Sequence, residues 1–551
     1  MSIMKTNKLF TIGMALLFGA GVTFTSCVDT ESSLVDFNPE LDSPNDTVYS
    51  FLGILNKMQV VADRTLILGE VRGDLASVTD AGTTDLRNLS NFTAGADNSY
   101  NEPADYYAII QNCNYYITHA DLNLTTNGEQ VFLREYAAVK AYRAWAYLQL
   151  AIYYGRVPFF TEPLMTEAET DPSLYPKYGI EEICRYFIDD LAPYVETKTP
   201  VLGGSFSSYY IPVRVLLGDL CLWSGRYQEA AQYYHDYLTH VDNPRPVGVS
   251  SIRWMDYEFK SYLDTYISGS TVLTYIPMEA SEYDGIISYL DDVFESTDDN
   301  KFYYQVTASS ALAQLSAAQR YVLIYTDPAT SLPDTISPPE DMVYADGMMR
   351  GDLRYSSYMS TGKGTGNDGY SKEVQTITKI NTTMVQLYRV SAVYLRMAEA
   401  YNRAGLPESA FAILKHGLYT DVISKYISQA EKDRAGNLLS WSQYEFDKNN
   451  TQGIHAFGSG NSDADTTYVI PAGLSTLEDS ILYVEDKICD EMALEQAFDG
   501  TRFGDLQRIA LHRNDPTFLA RKIANRNGKD AFDSELYSRL CDRNNWYLPL
   551  E

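Results

Sequence analysis

Two stretches of this chain carry the residue spacing of a tightly packed helical hairpin. In the first, Leu217-Gly218, Gly225, Tyr227, Ala230 and Tyr234 stand at fixed intervals; in the second, Tyr394, Met397, Ala398, Tyr401, Gly405, Ala410 and Leu414 do so. Gly218 and Ala230 lack the bulk that would hold two helices apart. Gly225 ends the first helix, and Tyr227 and Tyr234 fill the groove between the pair. In the second stretch, apolar residues at 390, 393, 394, 397, 398 and 401 make one helical face. Gly405 followed by Pro407 reads as one helix stop and the next helix start. Gly225 and Gly405 lie 180 positions apart, so the hairpins are not one tandem array.

These are the spacings of tetratricopeptide repeats. Further helical patterns run from Thr47 to about Ala62, from Glu102 to Ala120 and from Val131 to Tyr154. The last is rich in Ala and apolar on nearly every side, so it should be packed by neighbours all round. Gly155 and Pro158 end it. A mainly α fold follows. Residues 243–380 have another texture, rich in Tyr, Ser, Thr, Asp, Gly and Pro, and Asn437 to Pro471 reads as a second loop-like insertion. Long irregular insertions in a helical scaffold are where binding tends to occur.

The charge balance narrows the function classes. The chain has 551 residues, with 43 basic and 73 acidic side chains and a formal net charge of −30. Such a chain repels phosphate backbones, so a broad nucleic-acid-binding face is excluded. Tyr occurs 45 times against 21 Phe, an excess of apolar rings with polar tips. The six Cys form no closely spaced pair, which excludes a zinc knuckle or a dithiol redox motif. Cys113, Cys184 and Cys221 sit in helical apolar contexts and read as buried small hydrophobes, with a disulfide left open.

The first residues point to export. Lys5 and Lys8 precede an apolar run from Leu9 to Phe24, shorter than the roughly 20 residues a spanning helix needs. Thr25-Ser26-Cys27 follows, then an acidic stretch. Small residues directly before a Cys resemble a bacterial lipobox, in which Cys27 would be acylated; a plain secreted protein is the alternative. The expected organisation is a signal peptide at 1–26, a tether at 27–46, an N-terminal helical repeat region at 47–242, the loop-rich insertion at 243–380 and a C-terminal helical region with the last repeat at 381–551.

Catalytic signatures are sparse. Six scattered His make no His-Glu-x-x-His, and neither a nucleophile elbow nor a phosphate-binding loop occurs. Gly364-x-Gly366-x-x-Gly369 formally matches a dinucleotide fingerprint, but without a preceding apolar strand or a following amphipathic helix it reads as a flexible loop. Asn461-x-Asp463-x-Asp465 lacks the central Gly and closing Glu of a calcium loop. No cofactor and no metal is expected. A glycoside hydrolase needs only two facing carboxylates, which sequence cannot pick out among so many acids.

Several ordered motifs together resemble a known family. Lys140-Ala141-Tyr142-Arg143-Ala144-Trp145-Ala146-Tyr147-Leu148 runs on to Tyr154-Gly155-Arg156-Val157-Pro158. Glu495-Gln496-Ala497-Phe498-Asp499-Gly500-Thr501-Arg502-Phe503-Gly504-Asp505-Leu506 and a final Asn545-Trp546-Tyr547-Leu548-Pro549-Leu550 follow in order. With the lipobox and the repeats, these resemble the SusD/RagB family of outer-membrane nutrient-binding lipoproteins. The resemblance implies a mainly helical SusD-like fold with a loop-rich ligand region. It also implies a cell-surface position, lipid-anchored in the outer membrane, and a SusC-type TonB-dependent transporter as partner. The ligand would be an oligosaccharide, or in some members a peptide, and it would not be altered.

The resemblance also directs attention to an N-terminal stretch. Gly69-Glu70-Val71-Arg72-Gly73-Asp74 and Asp97-Asn98-Ser99-Tyr100-Asn101 supply Arg72, Asp74, Tyr100 and Asn101 as ligand-binding candidates. A salt bridge between Arg72 and Asp74 that merely shapes the loop is the competing reading. From the insertion, Tyr283 in Glu282-Tyr283-Asp284-Gly285 is the expected exposed platform. Most of the insertion's other aromatics, Trp254, Tyr257, Tyr262, Tyr266, Tyr289, Tyr303 and Tyr304, are expected to pack within the domain, Trp254 by its helical spacing with Tyr257. Glu495, Arg502 and Asp505 read as a structural ion-pair network.

Overall fold

A computed structural model of the chain describes residues 46–200, 206–239, 272–278, 286–294, 304–326, 329–336, 351–365, 371–441, 453–458, 463–464 and 467–550. In chain order the helices are α1 (Asp46–Val71), α2 (Thr84–Ser90), α3 (Pro103–His119), α4 (Leu133–Tyr154), α5 (Ile180–Leu191), α6 (Val213–Trp223), α7 (Tyr227–Thr239), α8 (Leu290–Phe294) and α9 (Ser310–Ala317). They continue as α10 (Leu353–Tyr358), α11 (Val390–Arg403), α12 (Pro407–Lys415), α13 (Thr420–Tyr426), α14 (Gln429–Ala435), α15 (Leu477–Glu495), α16 (Arg502–His512), α17 (Pro516–Ala524) and α18 (Ser534–Leu540). The protein is mainly α, as its sequence implies.

Strands occur as small antiparallel ladders at the helix margins. Ala76–Val78 pairs with Val306–Ala308, and Val272–Pro277 pairs with Met384–Arg389. Met359–Thr365 pairs with Ser371–Ile377, which places Gly364 in a hairpin strand, opposite Lys372, and corrects the flexible-loop reading of that glycine.

α4 is the central helix. Its alanines at 137, 138, 141, 144, 146 and 151 are all buried, and small side chains let α3 and α5 pack close on either side. Two of its basic residues are inside as well: Lys140 and Arg143 both reach Asp190 on α5. The helix stops at Gly155, whose φ of 76° favours glycine and whose missing Cβ leaves room for the ring of Tyr547. The described cysteines are free thiols, with Cys113, Cys184, Cys221 and Cys489 buried.

Both repeat signatures form helical hairpins. In α6–α7, a Cβ on Gly218 would fall 2.5 Å from the ring of Tyr234, so the close approach requires glycine. In α11–α12, Gly405 turns the chain at a φ of 86° and Pro407 opens the next helix. The two hairpins are distant in sequence yet adjacent in space, because α7 packs on α11. Asp219 joins them. Its buried carboxylate accepts from Tyr234 Oη at 2.6 Å, Tyr388 Oη at 2.8 Å and Arg396 Nη1 at 2.8 Å. A sequence interval reports chain distance, not distance in space, and here the two repeats lie side by side.

Glu495, Arg502 and Asp505 do form part of a buried ionic lattice, but not with one another. Glu495 pairs with Arg354 and Arg389, Arg502 with Asp74, and Asp505 with Arg508. Losing one partner of such a pair strands a buried charge, which costs about 3–5 kcal/mol.

Gly218→Leu should force the α6–α7 contact apart. Denaturant unfolding should show a loss of about 1–3 kcal/mol or more; unchanged stability would show that the contact relaxes freely.

Candidate functional site

The Gly69–Asp74 stretch is not an open loop. α1 continues through Val71, and a Cβ on Gly69 would lie 1.8 Å from the carbonyl oxygen of Gly500. Arg72 is 1% exposed, donates Nη2 to the carbonyl of Trp546 and lies over the rings of Phe92 and Phe503. Burial pulls its guanidinium down to about 10. Asp74 is buried and bonded to Arg502 at 2.5 Å and 3.0 Å. Arg72 and Asp74 therefore neither bridge each other nor offer a face to a ligand. Both readings of the pair are corrected: its members lock the C-terminal segment and α16 to the end of α1.

Asn101 is also internal. Its Nδ2 donates to the carbonyls of Gly95 at 3.2 Å and Pro549 at 3.0 Å, a latch on the chain's last residues. Tyr100 is largely buried, with its phenol pushed up to about 12 by burial and by Asp85. It nonetheless borders the surface described next. Tyr283 and Cys27 lie outside the described residues, as do Trp254, Tyr257, Tyr262, Tyr266 and Tyr303.

An exposed face forms where α1, the first turn of α3, the 97–101 turn and residues 286–294 converge. Ile287 is 44% exposed and Tyr289 39%, while Ser288 between them is 4% exposed. That alternation is the period of extended chain, one side in and the next out. The inner side is bolted to α1. Ser288 Oγ donates to Asp63 Oδ1 at 2.9 Å, and the Tyr289 backbone N–H donates to Oδ2 at 2.7 Å. Burial pushes the Asp63 carboxyl up to about 6, against the lowering effect of those two bonds. Both carboxyl oxygens are engaged, so Asp63 acts as a strut that fixes the backbone at Ser288 and Tyr289, leaving Tyr289 partly exposed with its phenol pushed up by burial.

Beside this platform, Arg64 reaches Asp105 on the first turn of α3 at 2.5 Å, and Thr65 bonds Tyr106 Oη at 2.7 Å. The 97–101 turn is tied down by Asp85, whose carbonyl accepts from Asn98 at 3.0 Å and whose carboxylate accepts from Ser99 N–H at 3.1 Å. Tyr289 is close enough to Asp63, Tyr100 and Arg64 to feel their charge. Below, Arg64 Nε and Tyr154 Oη are buried without a hydrogen-bond partner among the described residues. Such groups accept ordered water or a ligand hydroxyl. The arrangement offers an aromatic face with an adjacent rim of hydrogen-bonding groups, the two features that a sugar ring's C–H face and hydroxyls require.

The architecture is shared with known structures. A SusD superfamily protein of Bacteroides thetaiotaomicron matches with a TM-score of 0.56, covering 92% of this chain and 96% of that one at 15% identity. The SusD-like fold is the fold of this chain. A SusD-like carbohydrate-binding protein of Bacteroides fragilis matches with a TM-score of 0.55, covering 88% of each chain at 13% identity. Surface glycan-binding protein A of Bacteroides uniformis matches at 0.54, covering 92% and 96% at 14% identity. No family model and no curated protein matches the chain by sequence.

Two cavities of this SusD-like chain lie elsewhere. One, about 70 Å³ and partly open, is lined by α1, α4, α6, α16 and the Met384–Arg389 strand, next to Asp219, Arg396, Thr501 and Asp505. It has room for a few waters and none for a sugar ring. The other is a groove of about 680 Å³ beside the second repeat, lined by Phe411, His416, Tyr426, Val469 and Leu477 among others. Its size suits a ligand, but its polar groups are largely engaged within the fold. Glu431 accepts from Ser409 and Glu408, Lys415 donates to the Tyr468 carbonyl, and Arg434 donates to the Gly405 carbonyl. The 286–294 face keeps buried polar atoms unpartnered beside an exposed ring, and on that ground is the better candidate. No described helix is long and apolar enough to cross a membrane.

Sequence reading missed Asp63, Arg64 and Tyr289. The polar–apolar alternation at 287–289 was the available signal for Tyr289. Asp63 and Arg64 fall just past the point where the periodic pattern of α1 weakens.

Asp63→Asn keeps an acceptor for Tyr289 and cannot ionise. A raised carboxyl contributes stability that is full below the ordinary carboxylate pKa and lost as pH rises through about 6. The stability of the native protein relative to the variant should therefore fall between about pH 4 and pH 6 by on the order of 2–3 kcal/mol. A pH-independent difference in denaturation curves would contradict the buried-strut description.

Proposed function

We propose that the protein captures an oligosaccharide on the Tyr289 face and delivers it, unaltered, to a SusC-type TonB-dependent transporter. The observation that carries the reading is the partly exposed Tyr289, its backbone fixed by Asp63, with the Arg64–Asp105 pair beside it. Two of the solved structures that share its fold carry carbohydrate- or glycan-binding in their names. An outer-membrane, surface-exposed position anchored at Cys27 fits the lipobox-like Thr25-Ser26-Cys27. Tyr100 closes one side of the face, and Tyr283 belongs to the same segment as Tyr289. Binding is expected to be of weak to moderate strength, since an open platform leaves much of the ligand hydrated.

Calorimetry against plant, fungal and host glycans, with peptides as controls and product analysis for turnover, tests the proposal. Tyr289→Ala should weaken binding of a positive glycan by about tenfold, the worth of a lost stacking contact, with folding intact. Full affinity in Tyr289→Ala together with loss in Tyr426→Ala would move the site to the groove beside the second repeat. Cleaved products would replace the binder by a hydrolase, and binding by peptides alone would replace the glycan.

A further inference from the structure

The cavity of about 70 Å³ between α1, α4, α6, α16 and the Met384–Arg389 strand is lined unlike a void in an apolar core. Three buried polar atoms on its lining residues have no hydrogen-bond partner among the described residues: Arg396 Nε, Thr501 Oγ1 and Asp505 Oδ2. Arg396 is 8% exposed and Asp505 2%.

Neither charged side chain is free to turn elsewhere. Arg396 Nη1 donates to Asp219 at 2.8 Å, and Asp505 Oδ1 accepts from Arg508 Nη2 at 2.8 Å. Those bonds fix both groups and leave the remaining atom of each unpaired. Thr501 precedes α16 at the position from which a threonine hydroxyl ordinarily caps a helix, yet it makes no cap bond. A buried polar atom without a partner is strongly unfavourable, and native folds leave few of them.

The three atoms together define what can satisfy them. Arg396 Nε–H only donates, Asp505 Oδ2 only accepts, and the Thr501 hydroxyl does either. A bare cation would suit the two oxygens but meet the Arg396 guanidinium, and an anion would meet the Asp505 carboxylate. Water donates and accepts at once and carries no charge. The volume exceeds the roughly 30 Å³ that one water occupies in the liquid.

We infer that this cavity is a binding site for a cluster of at least two ordered waters, which ties the Asp219–Arg396 pair between the repeats to Thr501 and Asp505 at the start of α16. The cluster also backs Ala62, Thr65 and Leu66, the turn of α1 that carries Asp63 and Arg64. The inference is independent of what the exposed Tyr289 face binds.

High-resolution diffraction from crystals of the full chain tests it. At least two water peaks should appear in the cavity, and each of the three atoms should lie within hydrogen-bond distance of one. A dry cavity would overturn the inference, as would three atoms bonded directly to protein partners. So would a peak at metal-ion distance, about 2.0–2.6 Å from Asp505 Oδ2. Thr501→Val gives a readout in solution, because valine keeps the shape and removes only the hydroxyl, and no cap bond is lost. With the hydroxyl bonded to the cluster, denaturant unfolding should show the folded-to-unfolded ratio falling about fivefold. A hydroxyl that stands dry is better removed, so an unchanged or higher ratio would contradict the water site.

Discussion

The buried guanidinium of Arg354 is the charge around which the C-terminal half is assembled. It contacts Asp352 and Glu491 at 2.7 Å and Glu495 at 2.9 Å, all of them buried. Glu495 is shared with Arg389, which also binds Asp499, and Lys379 reaches Asp499 at 2.7 Å. No member can be buried alone, because an unpaired interior charge is prohibitively destabilising. The end of α15, the short helix α10 and the strand Met384–Arg389 are therefore brought together as a set. The turn after α15 follows from that constraint. Gly500, with its φ of 82°, meets Gly69 of α1, and its N–H donates to Glu70 at 2.8 Å. α1 is thus fixed from below by the lattice, and it carries Asp63 and Arg64 up to the exposed face.

The same helix therefore serves stability at one end and recognition along its middle. Its last turn is sealed by Arg72, Asp74 and the chain's final residues, while two turns earlier Asp63 fixes the backbone and side chain of the 288–289 segment. A platform held by a buried carboxylate loses little freedom on binding, which spares a shallow site part of its ordering cost.

The helical framework was legible because it rests on local rules. Gly218 against Tyr234 and the Gly405–Pro407 junction follow from steric size and backbone freedom, which spacing reveals directly. What spacing does not reveal is which side chain meets which across hundreds of residues. Arg72 and Asp74 have the composition of a binding loop, yet each is buried and bonded to a residue more than 400 positions away, Trp546 and Arg502. The adjacency of the two repeats, joined at Asp219, was hidden for the same reason. Tyr289 sits in a segment crowded with tyrosines, and only the placement of its neighbour Ser288 against Asp63 distinguishes a ring that faces solvent from one that packs.

The central claim is that residues 286–294 and the first turn of α3 receive the ligand. Amide hydrogen exchange with and without a bound oligosaccharide measures this most directly. The account predicts slowed exchange at Tyr289 and its neighbours and in the 97–105 stretch, with the groove beside α12 and α13 unchanged. Protection confined to that groove, with no change at Tyr289, would contradict it.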